Sequence, residues 1–314
     1  MSSLSLMVRQ IECLTPRIRK LLLVSPDHSP LPAFSPGAHI EITIAGDRIQ
    51  HRAYSLVNSG GEDVYEIAVQ LEDESTGGSR WLHSLTEGEH VQVKHPENLF
   101  ALDEHARHVT LIAGGIGITP ILSMARHLDA QLKPYTLHYA GRSQEAMAYL
   151  PEVEQLTHKK LWITQGDRSK RFPASQALAN PSAGHHLYIC GPNKMVSSVL
   201  ATARELGWPE DHLHYETFAG ALEKTGDRAF EVFLSGTGIA LTVAADKTVL
   251  DAMIEAGLDP LFDCRRGDCG VCVAQIQEGE ADHRDICLSE RERSAGSFCT
   301  CVSRATSNRL VLNI

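Results

Sequence analysis

Three cysteines crowd into one short stretch, Cys264-Arg-Arg-Gly-Asp-Cys269-Gly-Val-Cys272, and Cys301 follows well downstream. A C-x4-C-x2-C run with a distant fourth cysteine is the spacing of plant-type [2Fe–2S] loops. Such a loop constrains a fold strongly. Four thiolates must converge on two irons, so the backbone wraps a compact centre and the last cysteine is carried back to it. Gly267 and Gly270 give the loop backbone freedom and close approach. Its N–H groups can then point at the sulfurs and tune the potential. A structural zinc site also takes four cysteines, but usually as two short pairs, which three cysteines in one loop fit poorly. The fourth ligand is Cys287, Cys299 or Cys301. Cys301 is favoured because it opens Cys301-Val-Ser-Arg304 just before the last strand, leaving Cys287 and Cys299 as small buried or partly exposed side chains.

Six of the eight cysteines fall from residue 264 onward; the other two are Cys13 and Cys190. A disulfide scaffold would be a short secreted chain. This chain has 314 residues, and its first residues, MSSLSLMVRQ, carry no basic segment followed by an apolar one. A reduced, cytoplasmic setting is therefore expected. The longest stretch free of acidic, basic and histidine residues, Val109 to Ala125, is shorter than the ~20 residues of a spanning helix and holds three glycines and a proline. No membrane association is expected. A net charge of −10 argues against nucleic acid as a partner and suits docking to a basic protein surface.

The rhythm of the chain divides it into modules. Residues 1–103 read as short strands, such as His39–Ile44 and Glu66–Leu71, punctuated by Gly and Pro; this predicts a small antiparallel β-barrel, closed at one end by a helix near Ser79–Leu85. Residues 104–222 alternate apolar strands with helices. The strands are Val109–Ala113, Tyr135–Tyr139, Leu161–Thr164 and His186–Cys190, and the pattern predicts an α/β domain with a parallel sheet. Residues 221–229 read as a linker. A third module, 230–314, opens with a hairpin around Ser235–Gly238 and a helix from Thr248 to Gly257.

A glycine run, Gly114-Gly115-Ile116-Gly117-Ile118-Thr119-Pro120, follows the first strand of the α/β region and opens a helix. Glycines there let backbone N–H groups approach a pyrophosphate, which a helix N-terminus favours. Thr119 is expected to cap that helix and Pro120 to sit in its first turn. The run is not G-x-G-x-x-G, so the usual dinucleotide fingerprint does not strictly apply. Cys190-Gly191-Pro192 closes a later parallel strand, at the carboxyl edge where open sheets bind ligands. In the barrel region, Arg52 can pair with a phosphate, Tyr54 can stack on a flavin ring and Ser55 can hydrogen-bond it. Thr76-Gly77-Gly78-Ser79 precedes a helix and can receive a phosphate. The sixteen histidines, including His185-His186 and His212-Leu-His214, show no metal-ligand spacing and read as surface or satisfied groups.

In this order the motifs resemble the phthalate dioxygenase reductase family, the FMN-containing reductases of Rieske-type oxygenases, over nearly the whole chain. Glu216-x-Phe218 and His283-Arg284-Asp285 share in the likeness. The resemblance implies three domains: a flavin barrel (1–103), an NAD domain (104–222) and a β-grasp ferredoxin domain of α+β type (230–314). It also implies roles. Arg52, Tyr54 and Ser55 would hold FMN, and Gly77, Gly78 and Ser79 its phosphate. Gly114, Gly115, Gly117, Thr119, Pro120, Cys190, Gly191 and Pro192 would shape the nicotinamide site. Arg142 and Ser143 would approach the adenosine part, Glu216 and Phe218 would lie near the flavin, and Cys264, Cys269, Cys272 and Cys301 would ligate the cluster. The sequence departs from many relatives at Glu74-Ser75-Thr76, where they carry Gly-Arg; this removes one phosphate cation, and FAD stays open, although no adenine-binding segment is evident.

The expected activity is that of an NADH-dependent oxidoreductase. A hydride brings two electrons together and a [2Fe–2S] cluster takes one, so a flavin must divide the pair. No general acid or base is required, and no catalytic triad motif is present. The partner implied is a Rieske-type terminal oxygenase. Residues 226–314 hold 14 acidic and 9 basic residues, a charge that would steer a basic partner. The alternatives are a cluster-based redox sensor or regulatory binding protein, and a zinc-stabilised interaction module.

Overall fold

A computed structural model describes residues 3–44, 50–59, 63–72, 77–179, 181–218, 227–262, 265, 267, 270–285 and 287–314. The chain divides into two compact units, Met1–Glu216 and Thr217–Ile314. Most of the predicted linker, 221–226, lies outside the described residues.

The first unit begins with six antiparallel strands: β1 (Ser3–Thr15), β2 (Ile18–Val24), β3 (His39–Ile44), β4 (Gln50–Ser55), β5 (Tyr65–Gln70) and β6 (His90–Lys94), in the order β4-β3-β6-β1-β2-β5. Alternation drives their inward faces together. Ile40, Ile42, Leu21, Leu23, Ile67 and Val93 are all fully buried. The two edges meet just past β4, where Val57 N–H donates to Glu66 O at 2.9 Å and Asn58 bonds Val64 O and Glu66 N–H. Helix α1 (Gly78–Ser84) plugs the barrel with Leu82, as the sequence suggested.

A five-stranded parallel sheet follows: β7 (His108–Gly114), β8 (Tyr135–Gly141), β9 (Lys159–Ile163), β10 (His185–Cys190) and β11 (Leu213–Glu216), ordered β11-β10-β7-β8-β9. Helices α2 (Ile118–Ala130), α3 (Leu150–Gln155), α4 (Ala174–Ala177) and α5 (Asn193–Glu205) connect the strands. The chain builds outward from β7 to β9, then returns to place β10 on the other side of β7. That reversal leaves a crevice at the carboxyl ends of β7 and β10. One continuous apolar core joins this sheet to Ile18, Val57 and Ala68 of the barrel. Helix α2 is clamped in place, with Ser123 Oγ donating to Asn58 O at 2.8 Å and Arg126 to Val57 O at 3.2 Å.

One expectation is corrected here. Thr119 does not cap α2. The cap position is Gly117, and Thr119 lies inside the first turn, its hydroxyl donating back to Ile116 O at 3.0 Å. A turn of 3₁₀ helix over Gly115–Gly117 starts the coil earlier than Thr-Pro spacing suggests.

The histidines of the parallel sheet also differ from a simple surface reading. His186 stacks on His212 at 4.2 Å, its Nδ1 lies 3.0 Å from His214 Nε2, and His214 stacks on Tyr188 at 4.3 Å. His185 packs on Trp208. These rings line the amino-terminal edge of the sheet, opposite the crevice. Burial, then the neighbouring imidazoles, push His185 and His214 down to about 4. The unfolded chain therefore takes up protons near 6.5, whereas the folded chain resists until near 4. Stability of this unit should fall as pH drops through that window and level off below it. Thermal unfolding across the window, with His214→Gln expected to flatten the slope, checks the sign.

The second unit pairs the hairpin β12 (Phe230–Leu234) and β13 (Ile239–Val243) with β14 (Val273–Glu278), β16 (Ser297–Cys299) and β18 (Arg309–Asn313), in the order β13-β12-β18-β14-β16; β15 (Ala281–Asp282) pairs with β17 (Arg304–Ala305). β12 and β18 run parallel, and helix α6 (Val249–Glu255) covers the sheet, the β-grasp arrangement. Thr248 and Asp251 form a reciprocal capping box at the start of α6. A short helix, α7 (Glu290–Ser294), precedes β16. Arg284 is nearly buried and holds Asp227 bidentately at 2.8 and 2.5 Å and Asp282 at 2.8 Å. Among the described residues, no helix is long and apolar enough to cross a membrane.

Candidate functional site

The sequence motifs meet in three places. The first is the crevice between β7 and β10. In the sheet register Cys190 pairs with Ala113 on one side and Glu216 on the other, so Gly114, Cys190 and Glu216 end three adjacent strands. The two glycine-bearing turns touch through backbone. A Cβ on Gly117 would collide with the Cys190 carbonyl and lie 2.7 Å from Gly191 N. A Cβ on Gly191 would meet Gly114 Cα at 3.0 Å, and one on Gly114 would run into Met195 at 2.6 Å and Pro192 at 2.8 Å. Gly115 has a different reason. Its φ is +55°, and nothing lies within 4 Å of a Cβ there, so it serves conformation rather than space. Such a turn leaves backbone N–H groups uncovered at the start of α2, the geometry that accepts a pyrophosphate. Arg142, exposed, and Ser143 follow the carboxyl end of β8 on the neighbouring strand. Thr119 and Pro120 are buried in α2.

Supporting residues here escaped the sequence reading. The Tyr139 hydroxyl donates to Gly115 O at 3.3 Å and Ala148 O at 3.1 Å, fixing the glycine turn from β8. Burial raises its phenol well above the ordinary value. Its only sequence trace was an aromatic in an apolar strand. Met147 fills the space beside Gly141 in the same way.

The second place is the barrel. Arg52 and Tyr54 share one face of β4, and Ser55 is buried on the other. Burial pushes the Tyr54 phenol up to about 12, so it stays neutral. The stem of Arg52 crosses the start of α1, where its Cγ would lie only 3.1 Å from a Cβ on Gly78. Gly77, at φ +112°, occupies the cap position of α1. Arginine, the two glycines and a helix start are thus assembled in one corner, a donor set that fits a phosphate. Ser79 is buried and its Oγ accepts Glu72 N–H at 3.2 Å, which ties the preceding loop. Thr76, Ser75 and Glu74 lie outside the described residues.

The third place is a cysteine nest in the second unit. Leu250, Cys272, Leu288, Cys299, Cys301 and Val302 form one buried cluster, with Cys287 and Ile254 packed on it. Cys264 and Cys269 lie outside the described residues. Hydrogen bonds from Cys299 and then Cys301 hold the Cys272 thiol far below its usual range, while the same contacts with Cys272 and Cys287 push Cys299 up. Cys272, Cys299, Cys301 and Cys287 thus bring four sulfurs into mutual contact. Gly267, at φ +79°, is pressed against Val302 and Asp285, so the loop passes too close to the core for a side chain. Sulfur donors gathered in one largely buried nest fit an iron–sulfur cluster. Glu216 is buried, and Phe218 is 38% exposed.

Comparison with known proteins agrees with this geometry. Residues 232–306 match the family described as 2Fe-2S iron-sulfur cluster binding domain, and residues 91–213 match that of the dimethylamine monooxygenase subunit DmmA-like N-terminal domain. The chain is 39% identical to vanillate O-demethylase oxidoreductase of Pseudomonas sp. over 95% of each chain. It is 40% identical to the carnitine monooxygenase reductase subunit of Escherichia coli over 98% of this chain and 97% of that one. The solved structure of phthalate dioxygenase reductase, described as modular for electron transfer from pyridine nucleotides to [2Fe–2S], superposes with a TM-score of 0.77 at 34% identity, covering 100% of this chain and 98% of that one. The chain therefore belongs to the phthalate dioxygenase reductase family and is an NADH-dependent oxidoreductase, a reductase component that serves an oxygenase through FMN and a [2Fe–2S] cluster.

Proposed function

We propose that this reductase delivers its electrons, one at a time, to a Rieske-type terminal oxygenase, and that it does so as three modules with bounds 1–103 for FMN, 104–222 for NADH and 230–314 for the cluster, in the cytoplasm. The observation that carries the site assignment is the backbone contact of Gly117 with Cys190 and Gly191, which brings the two glycine turns together at the strand reversal. Bound there, the cofactors supply hydride acceptance and single-electron transfer; the chain's own residues bind, orient and exclude water.

In this reading Gly114, Gly115, Gly117, Thr119, Pro120, Cys190, Gly191 and Pro192 shape the nicotinamide crevice, and Arg142 and Ser143 approach the adenosine end. Arg52, Tyr54 and Ser55 hold the flavin, with Gly77, Gly78 and Ser79 at its phosphate and Glu216 and Phe218 near its ring. Cys264, Cys269, Cys272 and Cys301 ligate the cluster. What supports Cys301 over Cys299 is the stretch Cys301-Val-Ser-Arg304 just before the last strand, which shares in the family likeness.

Arg52→Ala removes the cation from the phosphate corner. Flavin should then be lost about tenfold or more readily, since a charge-assisted hydrogen bond is worth roughly 1.5–3 kcal/mol. The flavin-to-protein ratio after gel filtration measures this, and an unchanged ratio would refute the role. The Rieske assignment rests on the family likeness and on the acidic second unit, suited to a basic acceptor. An acceptor captured on the immobilised reductase should show a Rieske electron paramagnetic resonance signal that appears only with NADH. Capture of a haem acceptor instead would overturn it.

A further inference from the structure

The cysteine nest holds more thiols than a four-ligand cluster uses. With Cys264, Cys269, Cys272 and Cys301 assigned as ligands, Cys287 and Cys299 are left over, and their Sγ atoms stand 3.3 Å apart. They belong to different parts of the cradle. Cys287 leans on the cluster loop: its N–H donates to Gly267 O at 3.2 Å, and its Sγ would lie 4.0 Å from a Cβ on Gly270. Cys299 ends β16 opposite Val273, and its thiol bonds the sulfur of Cys272. A bond between the two would staple loop to strand.

A metal is the competing use. Asp285 lies close enough for its carboxylate to join the two thiols, all three donors falling within 4.8 Å of one another. Its oxygens are already engaged, however. Oδ1 accepts from Ser303 Oγ at 3.0 Å, and Oδ2 accepts Leu288 N–H at 3.2 Å and pairs with Arg293 at 3.2 Å. A carboxylate so committed is a poor ligand, which leaves two thiols facing each other.

We propose that Cys287 and Cys299 form a redox-active dithiol that closes to a disulfide under hydrogen peroxide and so withdraws Cys299 from the sulfur of Cys272. Cys287 is half-buried and Cys299 fully buried, so Cys287 meets the oxidant first. Its thiolate attacks one peroxide oxygen, the O–O bond breaks, and the second oxygen leaves as water after taking a proton. Cys299 sulfur then displaces the hydroxyl from the Cys287 sulfenic acid as a second water. Two thiols lose two electrons and two protons; one peroxide gains them. Hydrogen bonds to ligand sulfurs set a cluster's potential by favouring its more negative, reduced form. Once Cys272 ligates iron as a thiolate, the hydrogen in its contact with Cys299 can come only from the Cys299 thiol; oxidation removes that hydrogen, lowers the midpoint potential and slows electron entry under oxidative conditions. This rests on Cys272 being a cluster ligand.

The test treats the holoprotein with stoichiometric hydrogen peroxide, then alkylates free thiols and maps peptides without reduction. A Cys287–Cys299 linked peptide, about 2 Da lighter than its separate halves, is expected while iron content and visible absorbance persist. The midpoint potential should shift downward and return on treatment with a dithiol reductant. Cys287→Ala should abolish both the linked peptide and the peroxide-dependent shift. Bleaching of the cluster before any linked peptide forms would overturn the proposal, as would a linked peptide with an unmoved potential. Purified protein lacking iron and labile sulfide from the outset would instead overturn the cluster reading beneath it.

Discussion

Replacing Cys272 with serine is expected to strip the protein of iron and labile sulfide and to bring NADH-driven reduction of cytochrome c to background, while NADH still reduces the flavin. The physical reason is the donor. Cys272 sits buried in the nest beside Cys299 and Cys301, and an alcohol offers iron a harder, far less acidic oxygen in the same place. The glycine crevice and the Arg52 corner both lie in the unit Met1–Glu216, and Cys272 lies in the other. Flavin reduction by NADH, followed by loss of flavin colour, should therefore survive, and ferricyanide reduction with it. If flavin reduction disappeared together with the cluster, the modular picture would be wrong.

Gly117→Ala should be a highly damaging small change at the crevice, and for an instructive reason. Gly117 has φ −60° and ψ −4°, an ordinary right-handed conformation that alanine prefers. Helix propensity alone predicts a gain of up to about 1 kcal/mol. The added methyl, however, would collide with the Cys190 carbonyl and approach Gly191 N, backbone atoms that cannot swing aside. Overpacking against main chain is expected to cost about 3 kcal/mol and to spread β7 from β10 at the crevice. NADH reduction of the flavin should slow by about a hundredfold, the cost of misplacing reactants by roughly 1 Å. Gly115→Ala is the contrasting case: its φ of +55° strains alanine by only about 1–2 kcal/mol, with no collision. Thermal unfolding and single-turnover flavin reduction separate the two. A Gly117→Ala protein more stable than the parent would mean the two turns do not touch.

Much of the fold was legible because its signals are local. Strand alternation placed Ile40 and Ile42 inside the barrel, and the continuous apolar run of β7 announced a strand covered on both faces. Turn chemistry put Gly77 and Gly78 at the start of α1. Reading failed where a local rule met a tertiary contact. Thr119 has the residue type of a cap, but the helix begins earlier because the 3₁₀ turn at Gly115 feeds directly into it. The paired histidines looked unremarkable as a pattern, since His185-His186 and His212-Leu-His214 become neighbours only when β10 and β11 lie side by side in register. The Arg284–Asp227 pair was invisible for the same reason.

The sequence by itself determined the inventory: a cysteine loop spaced for a two-iron cluster, a glycine turn between strand and helix, and strand periodicities that sort the chain into modules. Each of these depends on residues a few positions apart, whose geometry the backbone's own stereochemistry fixes. Only the tertiary structure decided that Gly117 rests on Cys190, that Tyr139 braces Gly115, and that Cys299 sits between Cys272 and Cys287. Those contacts join segments far apart in the chain. They follow from strand order and register, which a pattern of apolar residues permits in several forms and close packing reduces to one.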